Sequence, residues 1–221
     1  MKKTIFFLLL ILISCKSYQK ISTSERENII SELDYIVNID QKYSGGAFEE
    51  LLSKYGKKEG WKIFEAKRDS VGIENQKRIK NLYSKYGYLG YNQVGKENST
   101  KFWLPIQHAD NDVKFQQKML EELRREIKKN NASKNEYAML EDRIAINLKK
   151  KQRFGTQVTY SADGQAIPKY GLIDNVNIEK LRSEYKLESF KDYYNWMTTN
   201  HFEMNKEYFV KKGITKPLLY K

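Results

Sequence analysis

Apolar residues recur at helical spacing through most of the chain. Ile29, Ile30, Leu33, Ile36 and Val37 fall at i, i+3/i+4 and i+7, which predicts an amphipathic helix capped by Ser24 and stopped by Gly45-Gly46. A second helical region over residues 47–86 offers Leu51, Leu52, Trp61, Ile63, Phe64, Ile79, Leu82 and Tyr83 to a core, with breaks expected in residues 56–60 and at Gly72. Residues 87–99 are rich in Gly, Tyr and Asn and read as a loop. Phe115, Met119, Leu123 and Ile127 then recur every four residues, so residues 112–129 form a surface helix with Asp112 as its N-cap. Ser133 and Glu136 make a capping box that opens a further helix to about Leu148.

The pattern changes after that helix. Val158, Tyr160 and Ile167 flank Ser161-Ala162-Asp163-Gly164, a turn signal that predicts a β-hairpin within residues 155–169. Helical spacing returns over residues 176–185, where Ile178, Leu181 and Tyr185 share a face, and over residues 189–201. No repeat and no long internal linker divides the chain. The expected fold is mainly α, a single helical domain with a small β-hairpin near residues 155–169.

The N-terminus departs from this pattern. Lys2 and Lys3 precede nine uninterrupted apolar residues, 5–13. As a helix that run is about 14 Å long, too short for a hydrocarbon core of about 30 Å, and it reads as the apolar region of a signal peptide. Leu12-Ile13-Ser14-Cys15 ends it and resembles the bacterial lipobox, in which the cysteine is acylated and becomes the first residue. Residues 1–14 are thus expected to be a lipoprotein signal peptide, residues 15–23 a tether and residues 24–221 the domain.

Charge sharpens the expectation about partners. The chain carries 40 Lys+Arg against 28 Asp+Glu, a formal +12 that becomes +10 once Lys2 and Lys3 are removed. A basic domain held near a bilayer is attracted to anionic head groups or envelope polymers. Nucleic acid is not expected as a partner, because export removes it and no recognition-helix or RNP-like pattern is present. One cysteine excludes an internal disulfide framework, and two histidines exclude multi-His metal sites. There is no P-loop, dinucleotide fingerprint or Gly-x-Ser-x-Gly elbow, so no cofactor is expected.

Three segments place polar residues in unusual settings. In residues 103–110 an apolar run with Pro105 leads into Gln107, His108 and Asp110 just before a helix N-cap. There a carboxylate beside His108 would tune an acid/base, or both side chains would bond local backbone groups. Asp142, Arg143 and Asn147 lie on a helix otherwise apolar nearly all round, where a buried charge needs a partner, either structural or a ligand. Gln152, Arg153, Gly155, Thr156 and Gln157 stand at the junction with the hairpin, lining a pocket or simply starting the strand.

Together these segments resemble a bacterial family of unknown function, numbered 6624. Its members carry Gln-His-Ala-Asp, an Asp-Arg on a helix with a polar residue beyond, and Gln-Arg-Tyr-Gly-Thr-Gln. The matches here are Gln107-His108-Ala109-Asp110, Asp142-Arg143 and Gln152-Arg153-Phe154-Gly155-Thr156-Gln157, over roughly residues 87–194. Phe154 stands where Tyr is usual, so this chain has no hydroxyl at that position. The resemblance implies a shared polar site and no established activity.

Two functions are compatible with these readings. One is an exported lipoprotein, anchored through acylated Cys15, that binds an anionic envelope polymer or a small molecule through a polar His/Asp/Arg/Gln site. The other is a hydrolase or transferase in which His108 is the general acid/base, Asp110 or Asp142 its orienting carboxylate and Arg143 the stabiliser of negative charge. Gln107, Asn147, Gln152 and Gln157 would be binding residues. A metal alternative would use His108, Asp110 and Asp142 around a divalent ion.

Overall fold

The computed structural model describes residues 18–221. The expected signal peptide and Cys15 therefore lie outside the described residues. Helices α1 (Thr23–Lys42), α2 (Glu49–Tyr86), α3 (Tyr91–Val94), α4 (Lys96–Gln107), α5 (Val113–Lys128) and α6 (Lys134–Asn147) come first. The hairpin β1 (Val158–Tyr160) and β2 (Ala166–Pro168) follows, and α7 (Ile178–Glu184), α8 (Phe190–Met204) and α9 (Lys206–Lys211) close the chain. The fold is mainly α with one small antiparallel hairpin, in which Val158 pairs with Pro168 and Tyr160 with Ala166.

Caps explain several boundaries. Ser22, not Ser24, caps α1: its side chain accepts from Glu25 N, and the Glu25 carboxylate reaches back to the Ser22 N–H, a complete capping box. Residues 18–22, read from sequence as tether, instead lie against the domain: the Gln19 N–H donates to Lys85 O and the Tyr18 hydroxyl to Tyr83 Oη. At α6 only half of the expected box forms. Ser133 accepts from Glu136 N, but the Glu136 carboxylate accepts from Thr100 Oγ1 at 2.6 Å.

The largest departure from sequence expectation is α3–α4. Gly, Asn, Ser and Thr suppress helix propensity over residues 87–99, and Pro105 removes a backbone donor. Tertiary packing overrides both. Ser99, Phe102, Trp103 and Ile106 fall at i, i+3, i+4 and i+7, and all are buried. They make α4 the hub of the domain, packed against α1, α2, α3, α5 and α6. The core around it contains Ile29, Leu33 and Ile36 of α1, Ile79 and Tyr83 of α2, Met119 and Leu123 of α5, and Leu140 and Ile144 of α6. In α2 the break is confined to Gly56, at φ 75°, and the helix runs through Gly60 and Gly72. Gly60 serves the close return after that kink, since a Cβ there would stand 2.7 Å from Leu51 O.

Candidate functional site

The corner between α4 and α5 organises the site. His108 is the C-cap of α4 rather than part of a helix start, and Asp112 caps α5 by accepting from Phe115 N at 2.9 Å. Two short backbone bonds, Asp110 N–H to His108 O and Asp112 N–H to Ala109 O, tighten the residues between them. This corner sends His108 toward α1 and Asp110 toward α6.

His108 does not pair with Asp110. Its Nδ1 lies 3.0 and 3.1 Å from the two carboxylate oxygens of Asp40, near the end of α1. The Asp40 side chain is only 9% exposed, whereas that of His108 is 37% exposed. A carboxylate against Nδ1 selects the tautomer protonated there and supports an imidazolium when the ring gains a proton. Among the described residues none hydrogen-bonds Nε2. Asp40 escaped the sequence reading, yet it had a signal: Ile29, Leu33, Ile36 and Asp40 continue one buried stripe, and a carboxylate on such a stripe needs a partner.

Asp110 meets α6. Arg143 and Asn147, four residues apart, project on one side of that helix. Arg143 grips the Asp110 carboxylate through Nε (2.8 Å) and Nη2, and Asn147 Nδ2 donates to Asp110 Oδ1 at 2.8 Å. Burial pushes the Asp110 carboxyl up, but the hydrogen bonds from Arg143 and Asn147 and the guanidinium charge outweigh it, leaving the group below its ordinary value. Gln116 of α5, also missed in the sequence, is fully buried behind this pair. Its Nε2 donates to Ile106 O and Gln107 O, and its Oε1 accepts from Asn147. Arg143 Nη1 donates to Gln157 Oε1 at 3.2 Å, so Gln157 also joins the cluster.

Asp142, Gln152 and Gln107 do other work. Asp142 is completely buried and accepts from the backbone N–H groups of Arg153, Phe154 and Thr156 and from the Thr156 hydroxyl. Burial raises its carboxyl above the ordinary value although these donors pull the other way. The same loop is held from its carbonyl side by buried Arg182, which donates to Phe154 O, Gly155 O and Glu188 O. Gln152 staples the loop to the residue after β2 by donating to Gln157 O and Lys169 O and accepting from Gln157 N. Gln107 is buried with its amide on Met139 O. Phe154 packs in the core, its ring 4.6 Å from that of Tyr185.

His108, Asp110 and Arg143 line one cleft of about 760 Å³ together with Asp40, Tyr43 and Arg68. Asp142, Gln107, Gln152, Asn147 and Gln157 are not among its walls, although Asn147 and Gln157 hydrogen-bond Asp110 and Arg143 from behind. The His108/Asp110/Asp142 metal alternative is thereby split, since the oxygens of Asp142 are engaged by the loop. Among the described residues no group of three or more His, Cys, Asp or Glu is placed to hold a metal ion.

No match was found among curated proteins or among solved structures. One family model, that of a family of unknown function (DUF6624), matches residues 56–202. The matched span contains His108, Asp110, Arg143, Asn147 and Gln157, while α1 with Asp40 lies outside it. The match covers well over half of the chain and runs through all three polar motifs, and on that ground the protein belongs to the DUF6624 family.

Proposed function

We propose that this protein is a lipid-anchored component of the bacterial cell envelope, held through acylated Cys15, whose cleft takes a small polar ligand and uses His108 as a general acid/base in hydrolysis or group transfer. The observation that carries the chemical part is the pairing of His108 Nδ1 with buried Asp40 while the ring lines an open cleft. In that arrangement Nε2 accepts a proton from water or a ligand hydroxyl, and Asp40 stabilises the resulting imidazolium. Arg143 is pre-oriented by Asp110 and Gln157 and retains unused N–H donors for negative charge developing on the ligand. The lipobox-like tetrapeptide and the preceding apolar run support the anchored location.

The test uses the mature chain and a small-molecule and oligosaccharide extract of bacterial envelopes. Conversion of an extract component, followed by mass spectrometry, is expected with the native protein and should be lost in His108→Gln and strongly reduced in Asp40→Asn, with melting temperatures retained. Undiminished conversion by His108→Gln would overturn the acid/base role. Retention of a component without conversion, equally by native and His108→Gln proteins, would support the binding role instead.

A further inference from the structure

A second depression, about 560 Å³, lies at the opposite end of α1 from Asp40. Lys20, Arg26, Arg125 and Lys129 line it, against two carboxylates, Glu122 and Glu126. Arg125 and Lys129 bond to those carboxylates, yet both cationic side chains are 65% exposed. Lys20 and Arg26 are exposed, and no carboxylate among the described residues pairs with them. The N-terminus of α1 is not itself the attraction, because Glu25 already closes it. The positive character of this face comes from its side chains.

The wall of this depression includes the first described residue. The Tyr18 ring lies on Gly87, where an added Cβ would stand 2.9 Å from it, and the Gln19 N–H is bonded to Lys85 O at 3.0 Å. Cys15 is three residues earlier, so its Cα lies no more than about 11 Å from that of Tyr18 even with the chain fully extended. A link that short prevents the domain from turning its far side toward a bilayer in which Cys15 is anchored.

We propose that this basic face, built from Lys20, Arg26, Arg125 and Lys129 beside Tyr18, docks on the anionic head groups of the lipid bilayer and fixes one orientation of the domain on the membrane. The orientation rests on the reading that Cys15 is acylated; the attraction of the face for anionic lipid does not. Acyl chains combined with a polybasic patch give the two signals that stable anchoring requires.

Vesicle co-sedimentation separates the two. The mature chain, residues 15–221 with Cys15→Ser, is mixed with vesicles of phosphatidylcholine alone or with phosphatidylglycerol added. It is expected to bind only the anionic vesicles. Lys20→Glu/Arg26→Glu should weaken that binding by at least about tenfold, and Lys211→Glu/Lys212→Glu at the end of α9, which does not line the depression, by about threefold at most, because a basic side chain near an anionic surface is worth roughly fivefold in affinity. Equal losses in the two double variants, or no preference for anionic vesicles, would overturn the proposal. Lys20→Gln/Arg26→Gln provides the milder change should the reversed charges disturb folding. Failure of the anchor appears separately, as unchanged membrane fractionation of Cys15→Ala in cells.

Discussion

Asp142 with Arg182 and Asp110 with Arg143 present the same two functional groups in opposite circumstances. The first pair is buried and does not touch directly; a peptide loop lies between, giving its N–H groups to the carboxylate and its carbonyls to the guanidinium. The second pair is bidentate, its side chains 41% and 30% exposed at the wall of a cleft. Ionic groups whose hydrogen bonds are consumed by backbone serve architecture, whereas a pair that keeps donors at a solvent-reachable surface can act on a ligand. The adjacent residues Asp142 and Arg143 therefore divide two roles, with Asp142 holding the loop and Arg143 facing outward.

The comparison breaks most readily at Asp142. Asp142→Ala leaves three backbone N–H groups and the Thr156 hydroxyl without their acceptor, and denaturant unfolding should register a loss of about 3–5 kcal/mol. A loss below about 1 kcal/mol would mean that the loop finds other acceptors. Arg143→Lys should act differently. Its ammonium cannot reproduce the fork, but an exposed pair contributes little, so stability should change by no more than about 1 kcal/mol while ligand conversion in the envelope-extract assay falls by about tenfold or more.

The smallest effect is on pH dependence, where the two carboxylates have opposite signs. Asp110 is held below its ordinary 3.8 in the fold, so its contribution is present above that value and is lost as pH falls through the depressed one. Asp142 is pushed above 3.8, so its contribution is present below 3.8 and is lost as pH rises through the raised value. In stability–pH profiles, Asp110→Asn should remove slope below 3.8 and Asp142→Asn slope above it. Solvent screening keeps the Asp110 effect small. Slopes that change on the same side of 3.8 would show that the two carboxylates are not separately tuned.

Legibility in the sequence followed the strength of local signals. The α5 stripe with its Asp112 cap, the Ser133 cap and the hairpin turn were all readable because each is set by residues a few positions apart. The α4 hub was not, since low-propensity residues and Pro105 speak against a helix that only long-range burial of Phe102, Trp103 and Ile106 sustains. The same division runs through the polar cluster at the cleft. His108, Asp110, Arg143, Asn147 and Gln157 were identifiable as residues, but their pairing was not. The sequence offers Asp110 or Asp142 to His108, whereas the fold supplies Asp40 from 68 positions away.

Helix α1 separates the basic face from the cleft. From its cap Ser22 to Asp40 it advances eighteen residues, or about 27 Å at 1.5 Å each. Were the proposed docking to hold α1 along the membrane normal, the cleft would stand about three screening lengths above the head groups at physiological ionic strength. At that height the negative surface potential, and the local acidity that accompanies it, would have decayed. An anionic ligand would then reach the cleft without repulsion from the membrane beneath.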